Sequence, residues 1–300
     1  MGRRELLKAG MGTMAALATL AGVTAPLLSL RDGPSLDEFL QRHYTQLTPE
    51  MMEKILARIE HEIAFRYGVK TSVRDYKPIP DVEFAYALNL NRCNGSRRCV
   101  YACMKENNIP LDHPEQAYIR VVELDNDSLD LEEGNVLYNH DQVPQEGKYY
   151  IPIQCQQCRK PPCTKVCPVQ ATWTEPDGVT VIDYNWCIGC RYCMAACPYE
   201  ARRFNWSRPK FEPEQINPDM GYLSNRIRPR GVVEKCHFCL HRTRQGKNPA
   251  CAEACPTGAR VFGNIRDPKG KINFILKNKR VYILKADAKT IPRFYYFFDR

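Results

Sequence analysis

From residue 34 to 68 the apolar positions recur with helical spacing, and the pattern predicts two helices. Ser35 and Glu38 stand at capping-box spacing ahead of Phe39 and Leu40. Thr48 before Pro49 supplies a second N-cap, with proline at the first helical position. Met52, Ile55, Leu56, Ile59 and Ile63 then share one face, and Gly68 offers a C-terminal stop. That face either packs on the chain's own domain or docks a partner subunit. Further on, Phe84–Leu90, Tyr118–Leu124 and Val281–Leu284 read as strands, and residues 291–300 form an aromatic C-terminal tail containing Phe294, Tyr295, Tyr296, Phe297 and Phe298. The tail covers the chain's own interior or faces a partner or membrane. Residues 104–154, with an acidic loop from Asp125 to Glu133, and residues 199–235, rich in proline and arginine, read as insertions on a compact core.

Twenty-two prolines and 17 glycines in 300 residues point to many short elements. The formal charge is +9 with the cysteines counted as neutral. If the 15 cysteines hold iron–sulfur clusters, each four-thiolate cluster carries about −2, and the balance approaches neutrality. The basic excess then gives no case for nucleic-acid binding, and no basic–aromatic module accompanies it.

The cysteines fall into four groups. The most diagnostic is the third, Cys187-Ile188-Gly189-Cys190-Arg191-Tyr192-Cys193-Met194-Ala195-Ala196-Cys197-Pro198. Three cysteines at three-residue spacing, then a fourth before proline, form the bacterial ferredoxin run, whose fourth cysteine ligates the other cluster of a pair. The second group is Cys155, Cys158, Cys163 and Cys167; the fourth is Cys236, Cys239, Cys251 and Cys255; each ends in proline. The first is Cys93, Cys99 and Cys103, with Ser96 where the second cysteine belongs.

Competing chemistries fail on spacing. A disulfide framework does not repeat cysteines three apart within one loop, and 15 is odd. Zinc suits paired Cys-x-x-Cys, but the third group packs three thiols into seven residues. Covalent haem needs histidine after Cys-x-x-Cys, where Arg159, Arg191, Met194 and Leu240 stand. Redox dithiols do not account for the repetition.

The fourth-cysteine exchange pairs the groups. Cluster 1 takes Cys187, Cys190, Cys193 and Cys167; cluster 2 takes Cys155, Cys158, Cys163 and Cys197. Cluster 3 takes Cys236, Cys239, Cys251 and Cys103, leaving Cys93, Cys99 and Cys255 for cluster 4. A serine hydroxyl gives up its proton far less easily than a thiol. Cluster 4 is therefore expected to be a 3Fe-4S cluster beside three 4Fe-4S clusters; the alternative is four 4Fe-4S clusters, one completed by Ser96 or water. The expected fold class is α+β: two pseudo-symmetric bacterial-type ferredoxin units with long insertions, short strands and short helices. The four-cluster domain spans 81–290, its inner unit 150–206 and its outer unit 84–125 plus 232–266, after a helical extension at 31–80. Arg97, Arg98, Arg191, Arg202 and Arg203 lie near the groups, where they raise potentials, shape docking faces or form ordinary surface and salt-bridge contacts. For His237 and His241 a neutral, hydrogen-bonding role is expected; His43 and His61 carry no assignment.

The N-terminus resembles a twin-arginine export signal over residues 1–30: Arg3-Arg4, then Leu6-Leu7-Lys8 and a weakly apolar stretch to Leu30. Pro26 after Ala25 disfavours cleavage, while Gly10, Gly12, Gly22 and Pro26 weaken the stretch as a retained anchor, and both outcomes stand. Export folded would follow from assembling clusters before crossing the membrane.

The four groups in this order, with Cys-Ile-Gly-Cys-Arg-Tyr-Cys and Cys-Pro-Tyr, resemble the four-cluster iron–sulfur subunits of complex iron–sulfur oxidoreductases. That family includes subunits of dimethyl sulfoxide, polysulfide and nitrate reductases, and the resemblance spans about residues 84–290. The exported start is similar to members paired with a polysulfide-reductase-type membrane subunit, such as those of the sulfite-reduction-associated complex. The resemblance implies a periplasmic, membrane-associated electron-transfer subunit of an oxidoreductase complex. Its partners would be a quinone-interacting polytopic membrane subunit and a second redox subunit bearing molybdopterin, haem or another centre. No phosphate loop, nucleophile motif or nucleotide-cofactor signature appears, so substrate chemistry is expected in a partner. The alternatives are a free periplasmic polyferredoxin shuttle and a catalytic iron–sulfur subunit.

Overall fold

The structure, a computed structural model, describes residues 47–299 apart from Leu129. The export-signal segment, the helix expected from Ser35, and His43 lie outside the described residues. The chain divides into a unit ending at Met51 and a unit running from Met52 onward.

Helix α1 spans Pro49–Tyr67, and Thr48 Oγ1 accepts the Met51 N–H at 3.3 Å as its cap. Ile59 and Ile63 are buried, and Met52, Ile55 and Leu56 pack against the same core, as one apolar face requires. Gly68 ends the helix in the left-handed region at φ +69, donating its N–H to the Ala64 carbonyl. Then follow β1 (Ser72–Arg74), β2 (Phe84–Asn89), α2 (Arg98–Glu106), β3 (Arg120–Asp125) and β4 (Lys148–Ile153). The middle carries α3 (Pro162–Lys165), β5 (Thr172–Thr174), β6 (Thr180–Ile182), α4 (Tyr192–Ala195), β7 (Arg202–Phe204) and β8 (Asp219–Gly221). The last third has β9 (Val233–Lys235), α5 (Leu240–Thr243), α6 (Ala250–Glu253) and β10 (Arg260–Asn264). It closes with α7 (Lys271–Asn278), β11 (Val281–Tyr282) and β12 (Phe294–Phe297).

The fold is thus a mixture of short helices and small sheets. The largest sheet has the order β10-β2-β12-β11, with β2 antiparallel to β10 and parallel to β12. All six β2 residues are buried because both faces are covered. Phe84, Tyr86 and Leu88 enter the main core, whereas Ala85 and Ala87, on the opposite face, leave room for Ile272 and Ile275 of α7. Two-stranded pairs complete the sheets: β1–β8 parallel, and β3–β4, β5–β6 and β7–β9 antiparallel. Among the short helices, α2 packs on α6 and α3 on α4.

The structure sharpens two sequence expectations. The aromatic stretch is not a tail but a strand inside the largest sheet. Its alternation sends Phe294 and Tyr296 into the main core and Tyr295 and Phe297 toward α7, so each face meets an apolar layer. The stretch 199–235, read as an insertion, is part exposed, at 206–208 and 212–215, and part core, with Met220, Tyr222, Asn225, Arg226, Arg228 and Val232 buried. Composition misleads because several of its polar groups are paired inside the protein. Asn225 Nδ2 donates to the carbonyls of Asp219 at 2.9 Å and Glu106 at 3.2 Å, and Arg228 Nη2 donates to that of Asn108 at 2.8 Å.

Candidate functional site

Each cysteine group is shaped by a backbone turn that few residues adopt. The residue ahead of the second ligand position has positive φ in all four groups: Gln157 at 44°, Gly189 at 75°, Phe238 at 54° and Gly95 at 72°. Ser96 therefore occupies the backbone position that Cys158, Cys190 and Cys239 occupy in theirs. The match to the third group extends further, since Arg97 (φ 53) and Arg191 (φ 66) are both left-handed caps, of α2 and α4. A second recurring turn follows the Cys-Pro pairs. Gln170, Glu200 and Gly258, three residues after Cys167, Cys197 and Cys255, all have positive φ, and the chain then enters β5, β7 and β10.

Gly189 has no alternative. A Cβ there would run into the carbonyl oxygen of Gly231, on top of the cost of its positive φ. Gly189→Ala is expected to lose about 1–3 kcal/mol locally and to come out of purification with less iron per chain. Gly246, also at positive φ but in open space, is the control: its alanine variant should keep full iron.

None of the 15 cysteines is joined in a disulfide. Cys167, Cys187, Cys190 and Cys193 line one small cavity together with Arg202. Cys93, Ser96, Cys99 and Cys255 line another together with Arg260. The remaining thiols are traced by the neighbours that act on them. Burial and then the adjoining Cys239, Cys251 and Cys236 push the Cys103 thiol well up. Burial pushes Cys158 to about 12, with Cys155, Cys163 and Cys197 as its thiol neighbours. Burial likewise raises Cys93 to about 11, with Cys99 and Cys255 nearby. Cys255 moves down despite its burial, because Thr257 and backbone N–H groups hydrogen-bond its sulfur.

Neighbours also link these sets to one another. Cys163 acts on Cys193, Cys155 on Cys236, and Cys99 on Cys251. Each of these three links joins thiols of different cysteine groups.

Among the described residues, no three His, Cys, Asp or Glu side chains converge as ligands of a single ion must. Seven of the sulfurs instead line the two cavities described above. Buried cationic nitrogens without partners, Arg202 Nη1 and Arg260 Nη2, adjoin these cavities. A donor set of thiols around a void, with positive charge beside it, fits a polynuclear anionic cluster.

The flagged arginines separate into distinct places. Arg97 stacks 3.7 Å over the Tyr138 ring, Arg191 lies 4.8 Å over Trp206, and Arg98 is exposed. Arg203 donates to the carbonyls of Glu200 and Ala117. Arg202 alone of the five is buried among thiols, and it is no surface or salt-bridge residue. His241 Nε2 meets Glu106 at 2.8 Å, and Glu106 also binds Arg242. His237 is held neutral by burial and by the adjoining His241, Lys235 and Arg228, but no hydrogen-bond partner meets either ring nitrogen among the described residues. The expected hydrogen bond therefore holds for His241 and not for His237, whose ring packs edge-on against Tyr118 instead.

Several residues near the sulfurs carry no cysteine-like signature. Tyr86 Oη lies 3.4 Å from Cys251 Sγ, and Asn107 Nδ2 lies 3.6 Å from both Cys103 Sγ and Cys239 Sγ. Arg260 Nη1 lies 3.9 Å from Cys251 Sγ. One signal does point to Arg260: Cys255-Pro-Thr-Gly-Ala-Arg260 repeats Cys197-Pro-Tyr-Glu-Ala-Arg202.

A family model for a 4Fe-4S dicluster domain matches residues 147–216 and 223–265. The protein is 43% identical over 210 residues to an Hdr-like menaquinol oxidoreductase iron–sulfur subunit 1 of Archaeoglobus fulgidus, covering 66% of its own length and 71% of the relative. It is 36% identical over 249 residues to the iron–sulfur cluster-binding subunit of a menaquinone reductase of Nitratidesulfovibrio vulgaris, covering 75% and 91%. With a polysulfide reductase subunit of Wolinella succinogenes the identity is 33% over 206 residues, covering 68% and 88%.

Proposed function

Because the chain belongs to the family of 4Fe–4S dicluster electron-transfer subunits of reductase complexes, we propose that it is the relay between a quinone-interacting membrane subunit and a second redox subunit. The observation that carries this reading is the nearness of thiols from different cysteine groups, Cys163 to Cys193, Cys155 to Cys236 and Cys99 to Cys251, which supports four clusters in succession. Iron–sulfur clusters take up and release single electrons, and that is the chemistry they supply when bound. The protein's own work is to hold the thiolates, keep water out and set the local charge. Quinone names in two of the relatives support a quinone-linked membrane partner.

The ligand sets proposed are those assigned from the sequence: Cys167 with Cys187, Cys190 and Cys193; Cys197 with Cys155, Cys158 and Cys163; Cys103 with Cys236, Cys239 and Cys251; and Cys93, Cys99 and Cys255. The packing of α3 on α4 and of α2 on α6 supports two pseudo-symmetric units, one nested within the other. No described helix is long and apolar enough to cross a membrane. Attachment is proposed through the partner or the N-terminal segment, after twin-arginine export to the periplasm. Purification from membranes tests the relay: a polytopic quinone-reactive subunit and a second redox subunit should co-purify, and recovery of the chain alone in the soluble fraction would favour the free shuttle.

At the fourth set we propose a three-iron cluster, because a serine oxygen stands on a backbone that matches the cysteine of the third group. Oxidised, anaerobically prepared protein is expected to show a three-iron EPR signal. Ser96→Cys should abolish that signal and add about one iron per chain. Wild-type protein without the signal would point to Ser96 oxygen or water as the fourth ligand.

A further inference from the structure

Arg202 and Arg260 occupy corresponding places in the two nested cysteine units, each five residues after a Cys-Pro cysteine and each opening a strand. Both side chains are almost fully buried, at 3% and 5% exposure. Neither forms an ion pair with a carboxylate among the described residues, and each keeps one guanidinium nitrogen with no hydrogen-bond partner. A buried cation in that condition is strongly unfavourable unless an anion lies beside it. Arg202 lines the cavity of Cys167, Cys187, Cys190 and Cys193, while its electrostatic partners include Cys163 and Cys155 of the neighbouring set. Arg260 lines the cavity of Cys93, Cys99 and Cys255 and reaches Cys251 of the set beside that one. Neutral hydrogen-bond partners fix both: Thr172 Oγ1 lies 3.1 Å from Arg202 Nη2, and Gln154 Oε1 lies 2.8 Å from Arg260 Nη1.

We propose that Arg202 and Arg260 are paired electrostatic bridges, each holding one positive charge between the two anionic clusters of its unit. The inference rests on the cluster assignments above. A fixed cation favours the state with one more electron on whichever neighbour receives it, so it raises both potentials of its pair. Both arginines are positioning residues: the thiols hold the iron, and the guanidinium sets the charge between the sites. The surface arginines near the same groups do not share this role, since solvent screens them.

The test is an EPR-monitored redox titration of the purified complex, with iron content measured on the same samples. In Arg202→Met, the midpoints of the two clusters held by residues 155–197 are expected to fall while the other two stay in place. In Arg260→Met, the complementary pair should fall. Unchanged midpoints at wild-type iron content, or movement of the wrong pair, would overturn the proposal. Should either methionine variant fail to load iron, the charge-keeping Arg202→Lys and Arg260→Lys decide. Full iron and near wild-type midpoints support a charge role; loss of iron in the lysine variants too shows a packing role and sinks the bridge. Wild-type protein lacking cluster signals altogether would instead refute the cluster assignments, a different failure from this one.

Discussion

Removing the iron under anaerobic, reducing conditions is expected to unfold the protein rather than leave a folded apo form. Cys103, Cys236 and Cys251 are members of the main core, and the neighbouring thiols line two small cavities within it. The elements around them cannot stand alone. Helices α3, α4, α5 and α6 are four residues each, far below the length at which an isolated helix persists. Four of the sheets are two-stranded, a form that is marginal in water without a packed face. Binding a structural metal commonly contributes about 10 kcal/mol or more to a small site, comparable with the whole ~5–15 kcal/mol stability of a domain. Several such sites in one chain make the folded state conditional on iron. The expected readout is loss of the near-ultraviolet circular dichroism signal and of any cooperative thermal transition once chelator has taken the iron. A sharp transition at the holoprotein's temperature, in material shown to be iron-free, would contradict this account.

A second large effect is expected at the buried Arg228–Glu234 pair. Arg228 Nε lies 2.5 Å from Glu234 Oε2, and each side chain is only 1% exposed. Tyr118 donates to the same carboxylate at 2.7 Å, while Arg228 also donates to the carbonyls of Arg226, Asn107 and Asn108. The pair thereby ties the end of α2, which carries Cys103, to the strand β9 that leads into Cys236. Glu234→Gln leaves the guanidinium buried without its counter-charge, and breaking such a pair costs about 3–5 kcal/mol. A fall in the urea midpoint of the loaded protein with unchanged slope is the expected measurement. Replacing both partners together by apolar residues of similar size should cost less than either single change, because no orphaned charge remains. If the double variant is the least stable of the three, the cost lies in lost hydrogen bonds rather than in the uncompensated charge.

Cysteine ligands are legible in a sequence because short-range spacing is itself the chemistry: thiols must curl around one inorganic core, and a three-residue turn does that locally. The amphipathic face of α1 was equally legible, since helical periodicity is a local property that burial simply confirms at Ile59 and Ile63. The aromatic run at 294–298 was not. Whether five aromatics form a tail or a core strand depends on a neighbour 200 residues away, and here β2 lies alongside. The proline- and arginine-rich stretch at 199–235 misled for a related reason. Part of its polarity is internal, spent on the Asn108 carbonyl just beyond α2 and on Glu234, and composition cannot tell a paired buried arginine from a solvated one.

The sequence by itself determined which residues offer sulfur, how they group, and that one position in 16 offers oxygen instead. Only the tertiary structure decided which arginines are buried beside the thiols. The physical reason is the range of each interaction. Ligand loops are closed by turns a few residues long, whose positive-φ residue recurs at Gln157, Gly189, Phe238 and Gly95. The burial of Arg202 and Arg260 instead depends on strands and loops brought in from distant parts of the chain, and burial is what turns an ordinary cation into a strong local field.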